Sequence, residues 1–227
     1  MATDLTAPRA RKGEITRQSI LEVALRLSSQ VGLEGLTIGR LAEELSLSKS
    51  GLFAHFRSKE SLQIQMLEFA AAQFIGSVVR PALQAPRGEP RVRALFERWL
   101  SWARSSPLPG GCIFVAAATE LDDRPGPVRD ELVRSQRDWM KALARCADLA
   151  VAQGHFRKDA DTRLFAHEFY GILLAYHYSA RLLAEPSAEA WARASFEALI
   201  ARVTSRTIRK DRHAPARSRP TTRPASK

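Results

Sequence analysis

Apolar residues along this chain recur at helical spacing, and no long segment alternates as a strand would. The spacing is sharpest over residues 37–56, TIGRLAEELSLSKSGLFAHF. There Ile38, Leu41, Ala42 and Leu45 fall at i, i+3, i+4 and i+7, one face of a helix. Thr37 precedes them with a hydroxyl able to accept from the unpaired N–H groups of a first turn. The run Ser46-Leu47-Ser48 interrupts the pattern, and Ser48 can cap a second helix that starts at Lys49. That helix buries Leu52 and Phe56 and leaves Lys49, Ser50, Gly51, Ala54 and His55 on its other sides. Small Ala42 allows the two helices to cross closely. A helix entering a major groove needs small, polar and basic residues in its first half, where bulk is excluded and donors face bases and phosphates. Helix corners of this kind also occur in all-α proteins that bind no nucleic acid.

The remaining pattern is helical as well. Ile20, Val23, Ala24, Leu27 and Val31 form one stripe over residues 14–30, and Gly32 is placed to end that helix. A fourth helix is predicted from Ser58 as N-cap, with Glu60 in its first turn, through Leu62, Met66, Phe69, Ala70 and Phe74 to Arg80. Pro81 is expected to stop it, and Pro81, Pro86, Gly88 and Pro90 mark a domain junction. Helices follow over 91–104, 112–121, 128–153, 161–184 and 188–206, with Pro127 suited to a first helical position and Gly154 to a helix end. The helix over 161–184 is apolar nearly all round from Leu164 to Leu174, which requires burial on more than one side. A second copy of the chain would provide that burial, and so would a monomer core. The expected fold is all-α with about nine helices. Its divisions are an unstructured basic arm (1–13), a head that holds the 37–56 corner (14–74), a helical body (75–205) and an unstructured basic tail (206–227).

Length and composition, at 227 residues and 45% hydrophobic, allow a sizeable core. No stretch approaches the roughly 20 uncharged apolar residues that span a bilayer. Asp4 and the lack of an apolar run near the N-terminus predict no secretory signal, and a cytoplasmic location is expected. The net charge of +11 points to a polyanionic partner, but residues 206–227 alone supply +7 and residues 1–17 supply +2. The charge therefore says more about the termini than about the 37–56 corner. A rival reading follows from it: an RNA- or membrane-associated protein that works through its basic tail.

Catalytic signatures are missing. There is no phosphate loop, HExxH, GxSxG or paired-cysteine zinc motif, and His155, His167 and His177 are not four apart. Cys112 and Cys146 are too few for a disulfide framework and lack metal-ligand spacing. Cys112, in an apolar segment, suits a buried inert thiol as well as an electrophile sensor. No cofactor and no metal are expected, and an enzyme is not.

The run 48–62, SKSGLFAHFRSKESL, together with the approach Gly32-Leu33-Glu34-Gly35-Leu36-Thr37, resembles the DNA-binding module of the TetR family of transcriptional repressors. The resemblance covers residues 14–74, and beyond them only the helical architecture. It implies a homodimer on a palindromic operator, released by a small-molecule effector. Recognition helices at 48–55 would enter major grooves about 34 Å apart. Lys49, Ser50, Gly51 and His55 are then the candidates for groove contact, beside Ser48, with Arg17, Thr37 and Lys59 for phosphates. Two positions depart from the family pattern. Ser46 stands where glycine is usual in the turn. Phe53 stands where a tyrosine hydroxyl usually meets a phosphate, and packing is the role expected of it instead. The family's effector pocket would draw on the aromatic and polar residues of the body: Trp99, Trp102, Phe114, Trp139, Tyr170 and His177, with Phe169 and Tyr176 nearby. Aromatics at this spacing also serve a core. The dimer interface would draw on Phe165, Gly171, Leu174, Tyr178, Ala194 and Leu199.

Overall fold

The computed structural model describes residues 7–105 and 108–204, with side chains from residue 17 onward. Nine helices make up these residues. They are α1 (Ala7–Gly35), α2 (Ile38–Glu44), α3 (Lys49–His55), α4 (Lys59–Ala82), α5 (Glu89–Ala103), α6 (Ile113–Leu121), α7 (Pro127–Ala152), α8 (Thr162–Arg181) and α9 (Ala188–Val203). No strand occurs among the described residues. A single antiparallel bridge ties Phe156, after α7, to Thr204, after α9.

Two boundaries differ from the expected ones. Helix α1 begins at Ala7, so it takes in half of the stretch read as an unstructured arm. Pro8 lies in its first turn, where a missing N–H breaks no helical bond. Helix α4 does not stop at Pro81. It widens into a π-helical turn over Ile75–Val79 and continues as Arg80–Ala82. Arg80 N–H reaches back to Ile75 C=O there, and the wider turn accommodates a proline that cannot donate. This helix is also long and apolar enough, by length and composition, to cross a bilayer, contrary to expectation. Its apolar residues Leu62, Met66, Leu67, Ala70 and Phe74 are instead in the protein core. The predicted tail, 206–227, lies outside the described residues.

Helix α4 holds the two halves together. On one side it packs on α1, where Ile20, Leu41, Leu52, Phe56 and Leu62 close a core shared by the first four helices. On the other it packs on α7, and Phe74 meets Trp139, Trp102 and Phe114 edge-on at 5.0, 5.6 and 6.1 Å. Helices α8 and α9 lie against each other and close over α5 and α7 through Phe96, Phe169 and Phe196. Phe96 and Phe196 stack at 4.1 Å.

Candidate nucleic-acid interface

Helices α2 and α3 are joined by a Schellman turn. Leu47 N–H donates to Ala42 C=O at 2.9 Å and Ser46 N–H to Glu43 C=O at 3.1 Å. The turn requires a left-handed residue at Ser46, and Ser46 adopts it with φ 53°. The turn therefore keeps its geometry without glycine, at a cost of about 1 kcal/mol in backbone strain. Both helices are capped as the hydroxyls predict. Thr37 Oγ1 accepts from Arg40 N–H at 3.1 Å, and Ser48 Oγ accepts from Gly51 N–H at 3.0 Å.

Capping points the first turn of α3 outward. Ser48, Lys49 and Ser50 are exposed, with the hydroxyls of Ser48 and Ser50 3.1 Å apart. Leu52 and Phe56 on the opposite side are fully buried. Phe53 is not the packing residue that its side chain led us to expect. It is 47% exposed, because it follows Leu52 by one residue and so turns about 100° away from the core. It faces outward with Lys49, while His55 and Gly51 are half-buried.

Two of the candidate phosphate ligands have partners inside the head. Arg17 Nη2 donates to His55 C=O at 3.0 Å, and its guanidinium lies 5.8 Å from the centre of the Phe56 ring. A cation thus closes the C-terminal end of α3, where unpaired carbonyls and the helix dipole favour positive charge. Lys59 Nζ donates to Glu34 C=O at 3.0 Å and pairs with its carboxylate at 3.3 Å. Sequence reasoning missed the pairing role of Arg17, since 38 residues separate the partners.

The body contains a cavity of about 450 Å³ between α4, α5, α6, α7 and α8. Trp99, Phe114, Trp139 and Tyr170 line it, joined by Phe74 and Cys112. Trp102 does not line it. It lies one turn beyond Trp99 but about 60° round the helix, and borders a separate crevice against α1 and α4. His177 is also elsewhere, about 10 Å along α8 from Tyr170 and packed beside Gly111. Inside the cavity, Tyr170 Oη donates to Gln136 Oε1 at 2.7 Å, and burial raises the tyrosine pKa above its ordinary value. Trp139 Nε1 is buried with no hydrogen-bond partner among the described residues. Cys112 is buried in the wall, and burial pushes its thiol pKa up, which lowers its reactivity. Among the described residues no group of three or more His, Cys, Asp or Glu side chains could hold a metal ion.

The face predicted for dimer contacts divides in two. Phe165 and Leu199 fill the core at 2% and 1% exposure, where Phe165 packs on Phe156 and Phe169. Gly171, Leu174, Tyr178 and Ala194 are exposed, and with Leu164, Leu182 and Trp191 they form an apolar surface on α8 and α9.

Residues 20–66 match the family described as bacterial regulatory proteins, tetR family, and residues 88–196 match the tetracyclin repressor-like C-terminal domain. The tetracycline repressor protein class C of Escherichia coli is 41% identical over 49 residues, which is 22% of either chain. The regulator RutR of Escherichia coli K12 is 30% identical over 111 residues, 42% of this chain and 52% of that one. The chain thus spans about half the length, or less, of these curated relatives. A TetR family regulator from Cytophaga hutchinsonii superposes with a TM-score of 0.74 at 21% identity, covering 89% of this chain and 98% of that one. AibR, solved in complex with isovaleryl coenzyme A and operator DNA, superposes with a TM-score of 0.65 at 21% identity, covering 83% and 97%. These two structures share the fold of this chain. The chain belongs to the TetR family of bacterial transcriptional regulators.

Proposed function

We propose that this regulator is a homodimeric repressor that binds a palindromic operator through α3 and is released when a small molecule enters the aromatic cavity. The observation that carries this reading is the capped, outward-facing first turn of α3, with Lys49 and Ser50 exposed. Lys49, Ser50, Gly51 and His55 would meet the groove, with Phe53 beside them. Ser48, Thr37, Lys59 and the spare donors of Arg17 would meet phosphates. The apolar surface of α8 and α9, with Leu174 and Tyr178 exposed, would pair with its copy across a two-fold axis. A dimer places two recognition helices about one helical turn of DNA apart. AibR, which shares the fold, was solved with both an acyl-coenzyme A and operator DNA, and this supports a regulator with two kinds of ligand.

The cavity's aromatic walls favour an apolar ligand, and the unpartnered Trp139 Nε1 favours one with an acceptor. Selection of bound sequences from random duplex DNA with the full chain tests the reading. A recovered palindrome is the expected result. Binding without sequence preference, falling steeply with salt, would overturn the operator reading and favour the basic tail as the binding element.

A further inference from the structure

The opposite side of α7 holds a second concavity, about 560 Å³, between the end of α6, the middle of α7 and the first turn of α8. Its floor is apolar: Leu121, Leu132, Val133, Met140 and Ala144. Its rim carries four cations, Arg129, Arg137, Lys141 and Arg163, against the single carboxylate of Asp122. Two of the four are occupied. Arg129 Nε donates to the Asp122 backbone carbonyl at 3.2 Å, and Lys141 pairs with Asp138 at 3.2 Å. The side chains of Arg137 and Arg163 make no hydrogen bond or ion pair among the described residues. Elsewhere in the body Arg93, Arg104, Arg134, Arg193 and Arg202 are matched to glutamates, while Arg98 and Arg145 are likewise without a hydrogen bond or ion pair among the described residues but do not line this groove. The one acid at the rim already accepts from Asp123 N–H at 2.9 Å.

We infer that this groove is a second ligand site, for a small amphipathic carboxylate. The hydrocarbon part lies along the floor, and the carboxylate lies between Arg137 and Arg163, whose guanidinium forks match carboxylate geometry. The aromatic cavity has the opposite charge preference, since Glu68, Glu131 and Asp138 outnumber Arg134 around it. An amphipathic anion is therefore sorted to the groove and not to the cavity. Gln136 borders both spaces, and its carbonyl is the one that accepts from Tyr170.

The test is calorimetric titration of the full chain with dodecanoate below its micelle concentration, independent of any DNA. Saturable binding is expected, weakened about tenfold or more in Arg137→Ala/Arg163→Ala and unchanged in Arg145→Ala, a cation of the same helix outside the groove. Met140→Trp, which fills the floor, should also weaken it. Thermal melts confirm that each variant is folded. Equal affinity for dodecyltrimethylammonium would overturn the proposal, because the rim charge would then be irrelevant. So would loss of binding in Trp139→Ala with retention in the arginine variant, which would place the ligand in the aromatic cavity. Binding only to anionic phospholipid vesicles, and not to free dodecanoate, would identify a membrane surface instead and overturn it as well.

Discussion

The carboxylate of Glu120 accepts from the backbone N–H of Leu33 at 3.0 Å, and its other oxygen accepts from Glu34 N–H at 2.9 Å. Helix α1 breaks at Gly32, with φ 78° and ψ 171°, so these two N–H groups stand at a fresh helical start with no helical partner. Glu120 caps them from 87 and 86 residues away. The Leu33 carbonyl accepts from the buried Gln63 side chain at 3.0 Å, so α1, α4 and α6 are bonded to one another at a single residue. The other end of α6 carries Cys112 and Phe114 into the cavity wall. One short helix thus touches both the aromatic cavity and the base of the DNA-binding head.

Glu120→Ala leaves two N–H groups without a charged acceptor, one of them part-buried, and should lower unfolding free energy by about 2 kcal/mol. Denaturant unfolding measures it. A loss below a few tenths of a kcal/mol would show that water replaces the cap.

Gly110→Ala is expected to be harsher. A Cβ there would stand 1.4 Å from the Ser29 carbonyl oxygen, so α1 and the loop before α6 must part. The bond from Gly110 N–H to Ser29 Oγ, 3.1 Å, would break with them. We expect about 3 kcal/mol of destabilisation, read as a lowered denaturation midpoint at unchanged slope.

Ser46→Gly should act in the other direction. It removes the left-handed strain at φ 53° and should stabilise the head by about 1 kcal/mol, with operator binding unchanged. A destabilised variant would mean that the serine hydroxyl compensates for its backbone.

Phe53→Tyr adds a hydroxyl to an exposed ring at the position where the family has one against a phosphate. Operator affinity should rise by about 1 kcal/mol, with the melting temperature unchanged. Lys49→Ala should lower operator affinity by about 1–3 kcal/mol in the same assay if it reads a base edge. A uniform loss on all sequences would assign it to phosphate instead.

Burial, and after it Arg181, holds the His177 pKa below the ordinary value of 6.5. The unfolded chain then binds the proton more tightly than the folded one, so stability falls as pH drops below about 6.5. His177→Gln should flatten that part of the stability–pH curve between pH 7 and 5. An unchanged slope would assign the acid sensitivity to other groups.

The sequence by itself determined the helices, because each rests on a local rule: apolar spacing, a capping hydroxyl, a proline or glycine at an end. Thr37, Ser48 and Ser58 cap where their hydroxyls predicted, and the 37–56 corner with its RSKESL continuation was enough to place the chain beside one family. Trp99, Phe114, Trp139 and Tyr170 were recognisable as cavity candidates for a weaker reason, since they are simply large aromatics on inward stripes. Only the tertiary structure could separate them from Trp102 and His177, because azimuth and height on packed helices decide which ring meets which space. The same holds for Phe53, which is apolar by type and exposed by its place beside Leu52. It holds most of all for Glu120 on Leu33 and Arg17 on His55. Those bonds join residues far apart in the chain through backbone atoms, which no pattern of side chains records.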